Sequence, residues 1–464
     1  MRRTSSTLPS NMPAFRARYD TNVLLWLTLA VVVAYANALT GDFLFDDFNV
    51  IVNASQVHTW GDWWAGLGNG IRPLLKFSYT LNWTMGTGVF GFHLLNLLIH
   101  LANVYLVYRL ANEFVHQQLE QNKFEHVPLF AALLFAVHPI HTEAVTYICG
   151  RSSALMALFY LVGVLCYVIG RTRNNNFYLT IATPLLLLLA LGVKETAVTF
   201  PFALLLWEIG CGGKWQRNLK LLWPSWLLLL MCTLFFLFSD SYLAQMQRSA
   251  ELNSLQGNIA TQLSAFNYLM QQWALPLWLN IDPDLALKHE ISGSLLSLVC
   301  FVGLFAIMLV CWRKRPWISF ALAWAMLHLI PLYVFLPRID IANERQMYLV
   351  GWPLFLALVI ELKLWLGDSA SRLVVAAIFL SFICLTALRN QVYENEIALW
   401  EDTVLKSPNK ARVHNNLGYA YLQANHYDSA RQEFTRALKL DPRLYQAHYN
   451  LLKLDDAVAD PANQ

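Results

Sequence analysis

Apolar runs of about twenty residues recur from Val23 to Leu388, and no other feature restricts the fold of this chain as strongly. A helix of that length matches roughly 30 Å of hydrocarbon, and only a backbone that satisfies its own hydrogen bonds can sit there. Eleven such windows fall near 22–40, 92–112, 129–148, 152–170, 177–192, 196–210, 221–239, 293–312, 317–335, 348–366 and 372–388. The expected class is therefore all-α: a polytopic membrane protein of about 11 transmembrane helices. Composition agrees, because 57% of the 464 residues are hydrophobic and 14% are charged, where a soluble domain carries about a quarter charged. A net charge of +3 without any Lys/Arg block sets nucleic acid aside. The seven cysteines show no CxxC spacing, so neither a disulfide framework nor a zinc site is expected.

Basic residues orient the spans. Arg2, Arg3, Arg16, Arg18, Lys123, Arg171, Arg173, Lys214, Arg217, Lys220, Arg313, Lys314, Arg315, Lys363 and Arg372 fall in one alternating set of loops, which marks that side as cytoplasmic and places residues 1–21 there. Ala36-Asn37-Ala38 resembles a cleavage site, but the run before it is long enough to span and is read as a retained helix. With an odd number of spans, the tail after Arg389 emerges on the opposite side. Outer stretches too long for turns lie at 40–91, 239–291 and 337–348. The first carries Trp60, Trp63, Trp64 and Trp83 and is expected to rest beside the bilayer as a lateral platform.

The tail, 390–464, changes character. Pro408 and Pro442 lie 34 residues apart, the period of a tetratricopeptide helix pair, and Gly418, Ala430, Phe434 and Ala437 take its small and large positions. One full repeat cannot bury its own face, so it should lean on the membrane domain or on a protein partner.

Ionisable residues at membrane depth are costly and mark function. Asp46 and Asp47, inside Phe43-Leu44-Phe45-Asp46-Asp47-Phe48, are expected to be partly desolvated, which raises their affinity for protons and suits a general base. Adjacent side chains diverge, so the two should divide the work. Arg72, Lys76, Arg151, Lys194, Arg248, Lys288, Arg338 and Arg345 lie on the same outer side, against the positive-inside trend, and suit a bound anion. Any one of the arginines could instead pair with Asp46, Glu143, Glu195 or Asp340. The stripe His93, Asn96, His100 and Asn103 reads as interhelical hydrogen bonding. His138-Pro139-Ile140-His141-Thr142-Glu143 has the composition of a metal cluster, but Pro139 breaks the spacing. No metal ligand set and no cofactor is assigned; a divalent cation is left open.

The succession Phe45-Asp46-Asp47, Arg72-Pro73-Leu74, Gly91-Phe92-His93-Leu94-Leu95-Asn96, Phe135 through Val145 with His-Pro-Ile-His-Thr-Glu-Ala-Val, Gly150-Arg151, Lys194-Glu195, Asn280-Ile281-Asp282 and Glu344-Arg345-Gln346 resembles the transmembrane and tetratricopeptide-repeat (TMTC-type) O-mannosyltransferases and their bacterial relatives. That resemblance implies a GT-C-like membrane domain over 22–389. It implies an inverting glycosyltransferase that moves mannose or a similar hexose from a polyprenyl-phosphate carrier to a hydroxyl of an exported protein or glycan. Asp46 and Asp47 would then be catalytic, with Arg151, Arg345, Lys194 and Arg72 on the donor phosphate and His138, His141, Glu143, Glu195, Glu344 and His93 in support. The tail is shorter than the long repeat arrays of eukaryotic members, which favours a bacterial inner membrane with the site and the C-terminus in the periplasm. The competing readings are a transporter or flippase of lipid-linked sugars, motivated by polar residues within the spans, and a non-catalytic tetratricopeptide scaffold.

Overall fold

The computed structural model describes residues 12–68, 71–211, 215–238, 243–244, 247, 251, 253–330, 333–334 and 340–459. Among the described residues there is no strand. The principal helices are α1 (Met12–Tyr35), α2 (Trp60–Ala65), α3 (Pro73–Met85), α4 (Gly88–Gln118), α5 (Val127–Val137), α6 (Arg151–Arg173), α7 (Thr183–Val193), α8 (Phe200–Cys211) and α9 (Trp223–Leu237). They continue as α10 (Leu255–Ala274), α11 (Leu295–Cys311), α12 (Pro316–Leu329), α13 (Met347–Val392), α14 (Glu396–Lys406), α15 (Ala411–Gln423), α16 (Tyr427–Leu440) and α17 (Tyr445–Ala459). Of the expected outer cations, Arg248 and Arg338 lie outside the described residues, as do Arg2, Arg3 and Lys214 on the inner side.

The chain is an integral membrane protein by its helices, and among the described residues a count of eleven spans is not confirmed. Five segments are long and apolar enough to cross: Thr21–Ala38, Gly88–Gln118, Ile148–Arg173, Ile291–Cys311 and Glu344–Val392; Gln121–Val137 with Pro139–Val145, bent by 54°, makes a sixth if taken as one. Tyr178–Val193, Leu219–Leu234 and Pro316–Leu329 are apolar but shorter. At about 1.5 Å per residue such helices rise no more than about 24 Å, short of the hydrocarbon thickness. Apolar windows locate helices well, and helix length decides which of them cross alone.

The last long segment is a hairpin. A straight helix over Met347–Val392 would run about 69 Å, yet Arg389 Nη2 lies 3.8 Å from Glu344 Oε2. The reversal falls at Gly367, whose φ of 74° and ψ of −178° leave the helix. Glycine is required there because other residues rarely adopt that backbone. Both ends of the hairpin thus return to the end of the bundle where α1 finishes.

The polar stripe of α4 ties the bundle together. His93 Nε2 meets Gly41 O at 3.1 Å, Asn96 donates to Val145 O at 3.1 Å, His100 meets Tyr348 Oη at 2.7 Å, and Asn103 donates to Ala154 O at 2.8 Å. These residues are buried in contact with their neighbours, as the interhelical reading expects, which removes the motive for a transporter pathway along α4. Helix α11 is the opposite case: Leu296, Val299 and Val310 face outward, as lipid contact requires. The tryptophan platform forms the short helix α2. Thr59 caps it by accepting from Asp62 N at 3.1 Å, Trp63 Nε1 donates to Pro73 O at 3.0 Å, and Trp64 stays exposed.

The tail leans on the membrane domain, as a lone repeat must. Within it, Gly418 lets α15 approach α16: a Cβ there would sit 2.7 Å from the Phe434 ring. Towards the membrane domain, Asp282 receives Lys410 Nζ at 2.6 Å and Arg412 Nη2 at 2.6 Å, Arg412 also reaches Asp340 at 2.8 Å, and Arg389 pairs with Asp402 at 2.7 Å. Removing one member of a buried ionic cluster strands its partners. The lysine and arginine ends are 23% and 30% exposed, so the cost is discounted to about 2 kcal/mol. Asp282→Ala is therefore expected to loosen the tail, read as faster hydrogen exchange over 396–440 with the spans unchanged; unaltered exchange there would contradict this docking.

Candidate functional site

The two acids after α1 are held differently. Asp47 is fully buried and accepts from Leu44 N at 2.9 Å through one oxygen and from Cys149 N at 2.8 Å through the other. Burial pushes its carboxyl up to about 7 although both N–H donors oppose the rise. Asp46 is half-buried and faces open space, with its own N–H donated to Tyr147 Oη at 3.1 Å. Burial raises Asp46 above the ordinary carboxylate range, the Arg345 and Arg412 cations oppose this, and Asp340 adds to it. The turn that separates the two is built at Phe45, which takes a left-handed φ of 46°. A bulky residue pays strain for that backbone. Two contacts compensate: Glu396 accepts the Phe45 N–H, and the Phe45 ring meets Trp400 edge-on at 5.1 Å.

Asp46 opens onto a cavity of about 100 Å³ whose charged lining is Arg72, Lys194 and Arg345 together with Asp46 itself. Val50, Leu75, Tyr79, Cys149, Ser152, Tyr333, Asn343 and Gln346 complete it. Arg72 precedes Pro73 at the start of α3 with a φ of 58° and grips Glu195 through Nε at 3.1 Å and Nη2 at 2.8 Å. Lys194 leaves the end of α7 extended and donates to Ser153 Oγ at 2.8 Å. Arg345 is fixed by Glu143, which accepts its backbone N–H at 3.0 Å and lies 3.4 Å from its Nε. The result is a concave site whose cationic side chains are held in place, Arg72 by Glu195, Arg345 by Glu143 and Lys194 by Ser153, and whose N–H donors suit a phosphate-bearing ligand.

Pro139 explains how Glu143 reaches Arg345. The residue before a proline avoids the helical region, and His138 is extended with ψ 128°, which ends α5 and turns residues 139–147 across the bundle end. Gly150 then packs where no Cβ could go, since one would lie 1.8 Å from Glu143 O. His138 meets Trp273 O at 3.0 Å and accepts from Ile140 N, while His141 meets Phe135 O at 2.9 Å. Both histidines are buried supports behind the site, and His93 likewise holds Gly41. Glu344 accepts from Asn280 N and lies beside Arg389. Among the described residues no group of three or more His, Cys, Asp or Glu could hold a metal ion.

Arg151 stands apart from the other expected phosphate ligands. It is fully buried behind the cavity wall, donating to Asn96 Oδ1 at 2.6 Å, Ser78 O at 3.1 Å and Phe92 O at 2.9 Å, with its guanidinium 5.1 Å from the Tyr79 ring. Its geometry is that of a clamp joining α3, α4 and α6. Conversely, sequence reasoning passed over Gln346, Tyr79, Asn343 and Ser152, which line the cavity. Gln346 Nε2 is a buried donor with no hydrogen-bond partner among the described residues. Its place beside Arg345 was the available signal.

Fold and site define a class: a helical membrane protein with a docked tetratricopeptide tail and an acid facing a cation-lined cavity at the end of the bundle. The tetratricopeptide repeat family matches residues 411–444. The chain is 26% identical over 453 residues to Protein O-mannosyl-transferase F38B6.6 of Caenorhabditis elegans, covering 92% of this chain and 63% of the relative. It is 24% identical over 497 residues to Protein O-mannosyl-transferase TMTC3 of Homo sapiens, covering 92% of this chain and 52% of that protein. Protein O-mannosyl-transferase TMTC4 of Homo sapiens is 31% identical over 177 residues, 32% of this chain and 24% of that protein. The resemblance to the TMTC-type family thus extends along nearly the whole chain. The chain spans between 52% and 63% of the length of the two relatives that it matches end to end, and no solved structure matches it.

Because Arg151 is a buried clamp, Arg151→Ala is expected to cost about 3 kcal/mol or more of stability by stranding its acceptors. A lowered thermal unfolding midpoint would show this. A variant as stable as the parent that lost only donor affinity would return Arg151 to the phosphate.

Proposed function

We propose that this chain is a membrane glycosyltransferase that moves a hexose, mannose by the names of its relatives, from a polyprenyl-phosphate carrier to a Ser or Thr hydroxyl of an exported protein. The observation that carries the reading is the cavity in which a single half-buried acid, Asp46, faces Arg72, Lys194 and Arg345. A lipid-linked sugar keeps its prenyl chain in the bilayer and its phosphate at headgroup level, where this cavity lies at the helix ends. The basic residues Arg171, Arg173, Arg313, Lys314, Arg315 and Lys363 belong to the opposite helix ends, which by the positive-inside rule supports an outer-face site.

In this reading Asp46 accepts the proton of the acceptor hydroxyl as its oxygen bonds to the anomeric carbon. The bond from that carbon to the phosphate oxygen breaks, and the electron pair leaves with the polyprenyl phosphate. One displacement inverts the anomeric centre. Arg72, Lys194 and Arg345 are already fixed by Glu195, Ser153 and Glu143, so they stabilise the departing charge without reorganising. Asp47 is a positioning residue: its two accepted N–H bonds hold the turn that presents Asp46.

Asp46→Asn, normally inserted, should lower transfer by about 10²–10⁴-fold, the range for loss of a general base. Asp46 must be ionised to work, and burial raises its proton affinity. The rate of the parent should therefore fall as pH drops through a value above the ordinary 3.8. Transfer from a polyprenyl-phosphate mannose by purified protein measures both, and a parental rate in Asp46→Asn would dismiss this role.

A further inference from the structure

Beside the cation-lined cavity lies a side pocket of about 20 Å³, enclosed by α6, the turn after α7, the end of α12 and the start of α13. The two spaces are neighbours, since Lys194, Arg345 and Gln346 line both. A space of that size takes about one water-sized group, a hydroxyl and not a ring. Apart from the two shared cations no Lys, Arg or carboxylate lines it; Ser153, Thr196 and His328 supply polar groups, and Met156 and Leu349 add apolar surface. Gln346 Nε2 and Thr196 Oγ1 are buried, and neither has a hydrogen-bond partner among the described residues. Buried polar atoms are nearly always bonded, so two of them on one small pocket call for a group from outside the chain. An amide N–H donates and a threonine hydroxyl both donates and accepts, a set that one alcohol hydroxyl completes. The wall carrying Thr196 is held in place: Thr199 donates to Thr196 O at 3.0 Å, Thr199 Oγ1 lies 3.2 Å from Tyr160 Oη, and Tyr160 Oη meets His328 Nε2 at 2.9 Å.

We propose that this side pocket receives one hydroxyl of the donor sugar, and that Gln346 and Thr196 read its presence and direction. This rests on the glycosyltransferase reading above and deepens it. A phosphate held against Lys194 and Arg345 keeps the attached sugar beside the pocket, because those two cations line both spaces. The sugar hydroxyl accepts from the Gln346 amide and shares a second hydrogen bond with Thr196 Oγ1. A sugar that lacks this hydroxyl, or turns it to the other face of the ring, leaves both buried groups unpaired, and a site built to bond a hydroxyl rejects such analogues strongly. Contacts to the phosphate cannot supply that discrimination, because every donor carries the same phosphate. Gln346 and Thr196 are thus specificity residues that select among hexoses at one carbon, while the proton and the leaving group are handled elsewhere.

The test uses the full chain in lipid nanodiscs with a Ser-containing peptide, polyprenyl-phosphate mannose, and the donors that lack a single hydroxyl at C2, C3, C4 or C6. Gln346→Met and Thr196→Val keep the size of each side chain and remove its hydrogen bond. Each should lower kcat/KM for the mannose donor about tenfold, yet change it by less than about twofold for one of the deoxy donors. The unsubstituted chain should reject that same deoxy donor about tenfold or more, a comparison that stands even if a variant does not fold. Preference among the other deoxy donors should stay parental. Each preference compares two donors on one preparation, so a loss of folded protein does not shift it. Variants that slow all donors equally, or an unsubstituted chain that uses every deoxy donor as well as mannose, would each overturn the subsite. Absence of transfer by the unsubstituted chain from any of these donors would instead overturn the glycosyltransferase reading beneath it.

Discussion

A carboxylate that accepts two backbone N–H groups in a fully buried place joins the turn after α1 to the loop before α6, and the rest of the site is arranged around that joint. Asp47 bonds Leu44 N and Cys149 N at once. Burying such a group is costly unless both oxygens are occupied, and here they are. With Asp47 fixed, its neighbour has no choice but to point elsewhere, and the left-handed Phe45 settles the direction. Strain of this kind survives only where surrounding contacts outweigh it. Those contacts come from the tail, through Glu396 and Trp400.

Cations at the site follow the same logic of fixed partners. Arg72, Lys194 and Arg345 each sit where a helix begins or ends, and each is held by a neighbour before any ligand arrives. A phosphate would meet side chains already held in place. Arg151, which is fully buried, directs its bonds to the scaffold.

Much of this was legible in the sequence because the membrane leaves few alternatives. The apolar windows marked helices, the Pro408 to Pro442 period marked the repeat, and the need of a lone repeat for support anticipated its docking. Asp46 and Asp47 stood out as acids among phenylalanines. Three things were beyond reach for definite reasons. The number of full crossings depends on helix length at the ends, which hydropathy blurs, as at Pro316–Leu329. Whether an arginine faces a cavity or a packed interface depends on contacts distant in sequence, such as Arg151 with Ser78. The support that Glu396 and Trp400 give to Phe45 arises only when residues some 350 positions apart meet; no local motif carries that.

The tail docks through charged pairs that reach Asp282, Asp340 and Glu344, next to the site. The central claim is that Asp46 stands between a phosphate-binding cavity and the tail. Its most direct measurement is an electron cryomicroscopy structure of the chain in a lipid nanodisc with a non-cleavable polyprenyl-phosphonate sugar. The phosphonate is expected against Arg72, Lys194 and Arg345, with the anomeric carbon next to the Asp46 carboxylate and the prenyl chain in lipid. Density for the phosphonate away from these cations, or a sugar that does not reach Asp46, would contradict it.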